Sequence, residues 1–354
     1  YAGPGHWNDP DILHIGHGQF DANNPVEVRS HFSLWAMINA PLLISYDLQH
    51  GPASLLAVLG NADVIRLNQD KAGHQGIVAY DSNDAQIIVK TLGNGQRKAV
   101  ALFNRGAAPA PVTLLAMHLK LADGAPVTLR NLWTKETLTF TGEKAFTLAP
   151  HETLVFEAQG KRQLDNGVYL SEIPGSINVA VDGTRQPQLD PTVHRMIDPW
   201  SSTRSGGSRP QYAGWGGAQP DATPFGQSLQ VAGQVFTSGL GVLSNSRLQV
   251  KNDAGYARLS ASVGVDDSTE NTAESVRFYV YGDGKLLAES TPARFGSKAQ
   301  ALTANVRGVK VIELVVRDAR TGNAVPVVTT WGDVQLTQPR AAAPGSRASG
   351  RHRI

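Results

Sequence analysis

Apolar residues change their spacing along this chain, and the change divides it. Up to about residue 75 they recur at helical intervals separated by short unbroken runs. Asn24-Pro25-Val26-Glu27 predicts a helix start, with Asn as N-cap, Pro at the first helical position and Glu at the third. The segment His31 to Ile38 then sets Phe32, Trp35 and Ile38 three residues apart on one face. Pro41 closes that helix, and Leu42-Leu43-Ile44-Ser45 has the look of a short, buried parallel strand. Gly51-Pro52 opens a second helical pattern through Leu55, Leu56, Val58 and Leu59, stopped at Gly60. Strand and helix in alternation predict βα units.

From 76 to 160 the period falls to two. Gln86–Lys90, Ala99–Phe103, Pro111–Leu115 and Glu152–Phe156 read as strands, punctuated by Gly93-Asn94-Gly95 and Ala122-Asp123-Gly124. This is an antiparallel all-β domain. A polar boundary, Gln159 to Arg162, leads into a second all-β region over 162–338. That region opens on a Gly/Ser/Pro-rich stretch from Ser201 to Pro224 and goes on to strand runs at Ser275–Tyr281 and Lys310–Val316. Gly282-Asp283-Gly284 is its strongest hairpin signal. Eight or so short strands suggest a sandwich or jelly roll. Residues 339–354 form a basic tail expected to be disordered. The fold class is thus α/β followed by all-β.

Composition narrows the function. Of 354 residues, 41% are hydrophobic, which excludes general disorder. The net charge of +2 comes from the tail, where Arg340, Arg347, Arg351 and Arg353 stand without an acid. The body is slightly acidic, so a nucleic-acid footprint is not expected. The longest apolar stretch, Leu34 to Ile44, is interrupted by Asn39 and Pro41 and is too short to span a bilayer. With no cysteine, disulfides, Cys nucleophiles and thiolate metal sites fall away together. The chain opens on Tyr1-Ala2-Gly3-Pro4-Gly5 with no leader pattern, and is read here as a fragment or processed product.

The densest polar cluster is Gly5-His6-Trp7-Asn8-Asp9-Pro10-Asp11. Two carboxylates beside an aromatic and an amide suit a sugar: the acids take hydroxyls or move protons, and the indole covers the ring's apolar face. An Asp-Pro turn whose carboxylates accept local backbone N–H groups fits the same residues. His14, His17, His31, His50, His74 and His118 have no metal-binding spacing and read as ordinary polar or capping residues. Gly206-Gly207 follows no strand and precedes no helix, so it is no phosphate loop. No metal or cofactor is expected. Asp266-Asp267 reads as a solvated turn, with Ca²⁺ ligation as its alternative.

Residues 3–74 resemble the C-terminal part of the catalytic barrel of family 27 glycoside hydrolases, the α-galactosidases. The resemblance rests on Gly3 to Leu13, on Phe32 to Met37 with Ala40 to Leu43, on Asp47-Leu48, and on Val64 to Asp70 with Gly73 to Gly76. Ala101 to Arg105, Asn131-Leu132-Trp133 and Leu148 to Glu152 resemble the β-domain that follows. The resemblance implies the last two βα units of a (β/α)₈ barrel over 1–75, since a whole barrel takes about 250 residues. It also implies that the nucleophile and acid/base Asp of a retaining enzyme lie upstream of this chain. Asp11 is then placed at the carboxyl end of the seventh strand, lining the galactose site. Asp9 and Trp7 support it, and Ile12 takes the neighbouring wall.

In the third region, Tyr212 to Gly216, Phe236 to Val242, Val263 to Asp267 and Thr330 to Asp333 resemble the NPCBM module, a carbohydrate-binding jelly roll. Leu243 stands where that family usually has a His. Trp215 and Trp331 are its candidates for sugar stacking, with a buried core position as the alternative for each. The expected whole is part of a retaining exo-α-galactosidase acting on galactose-bearing oligosaccharides or galactomannan, secreted or periplasmic. A carbohydrate-binding protein without catalysis is the alternative, as is a related α-N-acetylgalactosaminidase or β-L-arabinopyranosidase.

Overall fold

The structure is a computed structural model describing residues 3–5, 7–82, 84–93, 95, 97–179, 218–318 and 327–338. Its first part contains three helices, α1 (Pro25–Met37), α2 (Ala53–Leu59) and α3 (Ala62–Asn68). Pro25 takes the first turn of α1, but the Asn24 side chain does not cap it and instead donates to Asp21 Oδ1 at 2.8 Å. Asn61 does cap α3, accepting from the amides of Asp63 and Val64. The buried stripe of α1 is Val28, Phe32, Ala36 and Met37. Trp35 and Ile38 are only half-buried. The two strands expected around α1 are reduced to one parallel bridge, Leu13 to Ile44. Leu42–Ser45 is therefore not a buried strand: Leu43 is 51% and Ile44 42% exposed. A run this apolar is covered only when strands pair along both of its edges, and among the described residues it has Leu13 alone.

Eight strands follow: β1 (Ile77–Asp81), β2 (Ala85–Leu92), β3 (Arg97–Asn104), β4 (Ala110–Leu115), β5 (Pro126–Asn131), β6 (Thr137–Thr141), β7 (Glu143–Leu148) and β8 (Thr153–Gly160). Six make an antiparallel sheet in the order β1-β2-β3-β8-β5-β6, and β4 pairs with β7 across from it. Both faces of the six-stranded sheet are buried. Ile87, Val89, Val100, Leu102, Phe156 and Ala158 face β4–β7. The alternate residues Ile88, Ala99, Ala101 and Val155 join Phe32, Met37 and Leu67 beneath the helices. Strand alternation thus fuses the helical part and the sandwich through one sheet.

The remaining strands are β9 (Gly167–Tyr169), β10 (Ile177–Val179), β11 (Gln219–Pro220), β12 (Leu229–Val231), β13 (Gln234–Phe236), β14 (Gly239–Leu243), β15 (Arg247–Lys251), β16 (Arg258–Val265), β17 (Ser275–Gly282), β18 (Lys285–Glu289), β19 (Ala293–Arg294), β20 (Gln300–Asn305), β21 (Val311–Asp318) and β22 (Val328–Thr337). Two sheets, ordered β10-β15-β21-β17-β18 and β11-β14-β22-β16-β20, enclose a core that includes Phe278, Leu314, Val263 and Trp331. The hairpin at Asp283-Gly284 forms as its sequence predicts. Gly282 pairs with Lys285, and both loop residues have positive φ, 45° and 80°, as a type I′ turn needs. Among the described residues no helix is long and apolar enough to cross a membrane.

The polar boundary at Gln159–Arg162 does not behave as a free linker. β8 runs through Gly160, and the last sheet is docked onto the sandwich through buried charges. Lys98 of β3 reaches Glu172 at 2.5 Å, the two side chains 1% and 2% exposed, and Arg162 stands 3.4 Å from the same carboxylate. Lys120 pairs with Asp221 at 2.8 Å and donates to the Thr237 carbonyl.

Candidate functional site

Trp7 to Ile12 leads into the Leu13 bridge without strand structure of its own. It is held from behind. Asn8 Nδ2 donates to Gln75 Oε1 at 2.9 Å and to the Ile38 carbonyl at 3.2 Å, tying the loop to the end of α1. The indole of Trp7 lies over Gly73, where any Cβ would come within 2.9 Å of its ring. Asp9 Oδ1 accepts the Asp11 amide at 3.1 Å, a local turn of the kind its Asp-Pro sequence allows. Asp11 differs from Asp9. Its φ is +74°, a region an Asp enters at some cost, and its carboxylate hydrogen-bonds to no described residue. Trp7, Asp9, Asp11 and Ile12 are all exposed. The chain therefore presents an aromatic face, one carboxylate engaged by the backbone and one left free.

Three of the histidines serve as hydrogen-bond acceptors within the fold. His31 is stacked between Phe20 and Trp35, ring centres 4.5 and 4.4 Å away, and its Nε2 accepts the His14 amide. Burial pushes it down to about 4. His74 accepts the Gly175 amide at 3.2 Å, and burial, reinforced by the Lys98 charge, likewise takes it to about 4. His118 accepts the Leu115 amide and is lowered to about 4, first by burial.

The module's proposed binding residues fare differently. Trp331 is fully buried, packed edge-on against Phe278 at 5.2 Å. It is a core residue and no stacking platform, because its place in β22 points it between the sheets. Trp215 lies outside the described residues, as do Gly206-Gly207 and the tail over 339–354. The Asp266-Asp267 pair is not a solvated turn. Asp266 is buried and accepts from the amides of Gln230 and Ser268 and the hydroxyls of Ser268 and Thr330. Asp267 accepts from the amides of Ala232 and Gly233. These oxygens are taken by the protein's own donors, which leaves them poorly placed for a cation. Leu243 is buried in β14, opposite Val328.

A cleft of about 670 Å³ runs beside the loop, between β1 and the segment around β11, and Asn8 is on its wall. No motif marks it in the sequence, because its two sides lie about 140 residues apart. Its one local trace in the sequence is Tyr80-Asp81 closing the apolar run Ile77-Val78-Ala79.

Three family models match in succession. Residues 1–70 match α-galactosidase A, residues 82–158 match the α-galactosidase C-terminal β-sandwich domain, and residues 199–337 match the NPCBM/NEW2 domain. An α-galactosidase of Oryza sativa subsp. japonica is 38% identical over 156 residues, 44% of this chain and 36% of its own length. α-Galactosidase 3 of Arabidopsis thaliana is 42% identical over 141 residues, 39% of this chain and 32% of its own length. The chain spans about a third of the length of these curated relatives. A solved α-galactosidase I from Mortierella vinacea aligns over 44% of this chain and 40% of its own at 23% identity, with a TM-score of 0.41.

Proposed function

For a chain that joins the closing part of an α-galactosidase, its C-terminal β-sandwich and an NPCBM/NEW2 domain in that order, we propose a place in a retaining exo-α-galactosidase. The whole protein removes terminal α-linked galactose from oligosaccharides or galactomannan. The chain supplies the last βα units of the barrel, and the nucleophile and acid/base carboxylates come from earlier barrel strands. The observation that carries this reading is the Trp7–Ile12 loop. A strained Asp11 with a free carboxylate, next to an exposed indole and the fixed Asp9, is built to receive a ring bearing hydroxyls on one side and C–H groups on the other.

Exposed Ile12, Leu43, Ile44 and Leu48 support the barrel placement, since they flank a parallel bridge that has room for further strands. In this arrangement Asp11 accepts galactose hydroxyls, Trp7 packs on the ring, and Ile12 closes the wall beside them. With a polysaccharide substrate the proposal extends to a secreted or periplasmic protein. Related chemistry on N-acetylgalactosamine or L-arabinopyranose is separated from this reading by assay rather than by these residues.

The test is kinetic. The 354-residue chain releases no p-nitrophenol from its α-galactoside above background, whereas the protein with the earlier barrel strands in place does so. In that protein Asp11→Asn lowers kcat/KM by about 10²-fold, the upper end for a hydrogen bond made to a charged group. A folded variant with a near wild-type rate would refute the role of Asp11.

A further inference from the structure

We propose that the cleft between the sandwich and the NPCBM-type module is a second binding site, for a neutral oligosaccharide longer than one ring. Its volume of about 670 Å³ lies within the roughly 300–1,000 Å³ typical of ligand sites and exceeds what a single hexose fills. One wall is the outer edge of the six-stranded sheet, where β1 presents Tyr80 and Asp81 with Gln86 beside them; the other comes from the module and presents Gln219, Gln227 and Ser228. Tyr80 is 44% exposed, an aromatic surface left open to solvent on an edge strand.

Charge decides the ligand class. Among the described residues no Lys, Arg or His lines the cleft. Its two carboxylates are already neutralised from behind: Asp81 by Arg105 at 2.5 Å and Asp221 by Lys120 at 2.8 Å. Gln86 also donates to Asp81 at 3.0 Å, which fixes both side chains. Among the described lining residues an anionic ligand such as a phosphate or nucleic acid finds no counter-charge, and a cation finds no carboxylate without a basic partner. Amide and hydroxyl side chains are what remains. Those of Gln219, Gln227 and Ser228 make no hydrogen bond to any described residue, so their donors and acceptors are unspent. Uncharged donor–acceptor groups facing an exposed tyrosine across a groove match a chain of sugar rings, polar at the rim and apolar on the face.

The cleft also has a direction. Asn8 lines it, one residue from Trp7 and three from Asp11, so the glycan that lies in it runs toward the loop assigned to galactose. The junction that shapes it is buried and ion-paired, through Lys98–Glu172, which fixes the spacing of the walls. Binding here needs no catalysis and stands apart from the assignment of Asp11.

The experiment is titration of the full chain with a galactosylated manno-oligosaccharide and, in parallel, with free galactose, read by calorimetry and by NMR. The oligosaccharide binds at least about tenfold more tightly than galactose. Tyr80→Ala and Gln227→Ala each weaken it by about tenfold, on the scale of one aromatic contact or one sugar hydrogen bond, while thermal melts stay unchanged because both residues are exposed. This binding is read without turnover and is lost at Tyr80 and Gln227, which are no part of the galactose loop, so the proposal and the galactose-site reading fail independently. No binding by the folded chain overturns the proposal. Binding indifferent to both variants, or equal for galactose and the oligosaccharide, overturns it as well.

Discussion

Glu172→Gln, at the junction between sandwich and module, is the most informative single change to stability. Its carboxylate is 2% exposed, 2.5 Å from Lys98 Nζ and 3.4 Å from an Arg162 nitrogen, and its second oxygen accepts the Tyr169 amide at 2.7 Å. Removing the charge leaves two cations without a counter-charge, of which Lys98 is fully buried with only neutral acceptors left, the Thr91 hydroxyl and the new amide oxygen. Breaking a buried pair by removing one partner costs about 3–5 kcal/mol. With two cations abandoned, the upper end applies, about 5 kcal/mol. Lys98→Met should cost less, about 3 kcal/mol, because Arg162 still answers the carboxylate. The double change Lys98→Met/Glu172→Gln still leaves Arg162 without its carboxylate but removes the buried Lys98 charge together with its partner, so it costs less than the two single changes summed. Guanidinium unfolding of the four proteins, followed by tryptophan fluorescence, gives the order directly. If the double variant is as unstable as the two single losses summed, the pair is not coupled and the junction is held by something else.

The junction's histidine carries a pH prediction. His74 titrates near 4 in the folded chain against about 6.5 unfolded, so between those values the unfolded chain binds more protons. Stability therefore falls as pH drops from 6.5 to 4, by about 3 kcal/mol for His74 alone, with His31 and His118 adding in the same direction; melts between pH 7 and 4 that do not shift would contradict this. Buried Lys90, lowered to about 7 by burial, adds a rise in stability above pH 7 by the same logic, which Lys90→Met should flatten. Trp331→Ala should cost about 3–5 kcal/mol as a core truncation and act on glycan binding only through unfolding; loss of binding in a fully folded variant would return Trp331 to the site. Gly175→Ala should loosen the junction, because its Cβ would meet the Gly73 carbonyl at 2.8 Å; an unchanged midpoint in denaturant counts against the close approach.

What the sequence revealed depended on range. β2, β3, β4 and β8 were legible because each is a local run of apolar residues, and the Asp283-Gly284 turn because its geometry is set by two residues. β6 is built on threonines, Thr137-Leu138-Thr139-Phe140-Thr141, with Phe140 alone buried, so no apolar run marks it. Leu42–Ser45 misled in the opposite direction: its composition suits burial, but burial depends on neighbours that a local run does not specify. Asp266 looked like a surface turn because its partners are Gln230 and Thr330, 36 and 64 residues away. Trp331 looked like a platform because indoles serve both purposes, and the face it takes is set by the register of β22 against β14 and β16. The Trp7–Asp11 cluster was legible as chemistry, while the division of labour between its two carboxylates was not. That division follows from a single backbone hydrogen bond and the sign of φ at Asp11.

The buried charges at the junction bear on how the parts work together. A module serving as a tethered anchor needs a solvated linker and a polar, hydrated face toward its neighbour. Here Lys98, Glu172 and Arg162 have exchanged water for one another, which is tolerable only while the geometry holds. Such a contact is poor as a source of stability and good as a register, because a shift of the module by even an ångström or two strands a charge. The cleft is what that register protects, since its walls belong to different domains and its width is fixed only by their docking. Loss of the Lys98–Glu172 pair should therefore weaken oligosaccharide binding before it unfolds either domain. If Lys98→Met retained full affinity while its stability fell, the pairing would be separable from the site, and the cleft would be an accident of packing.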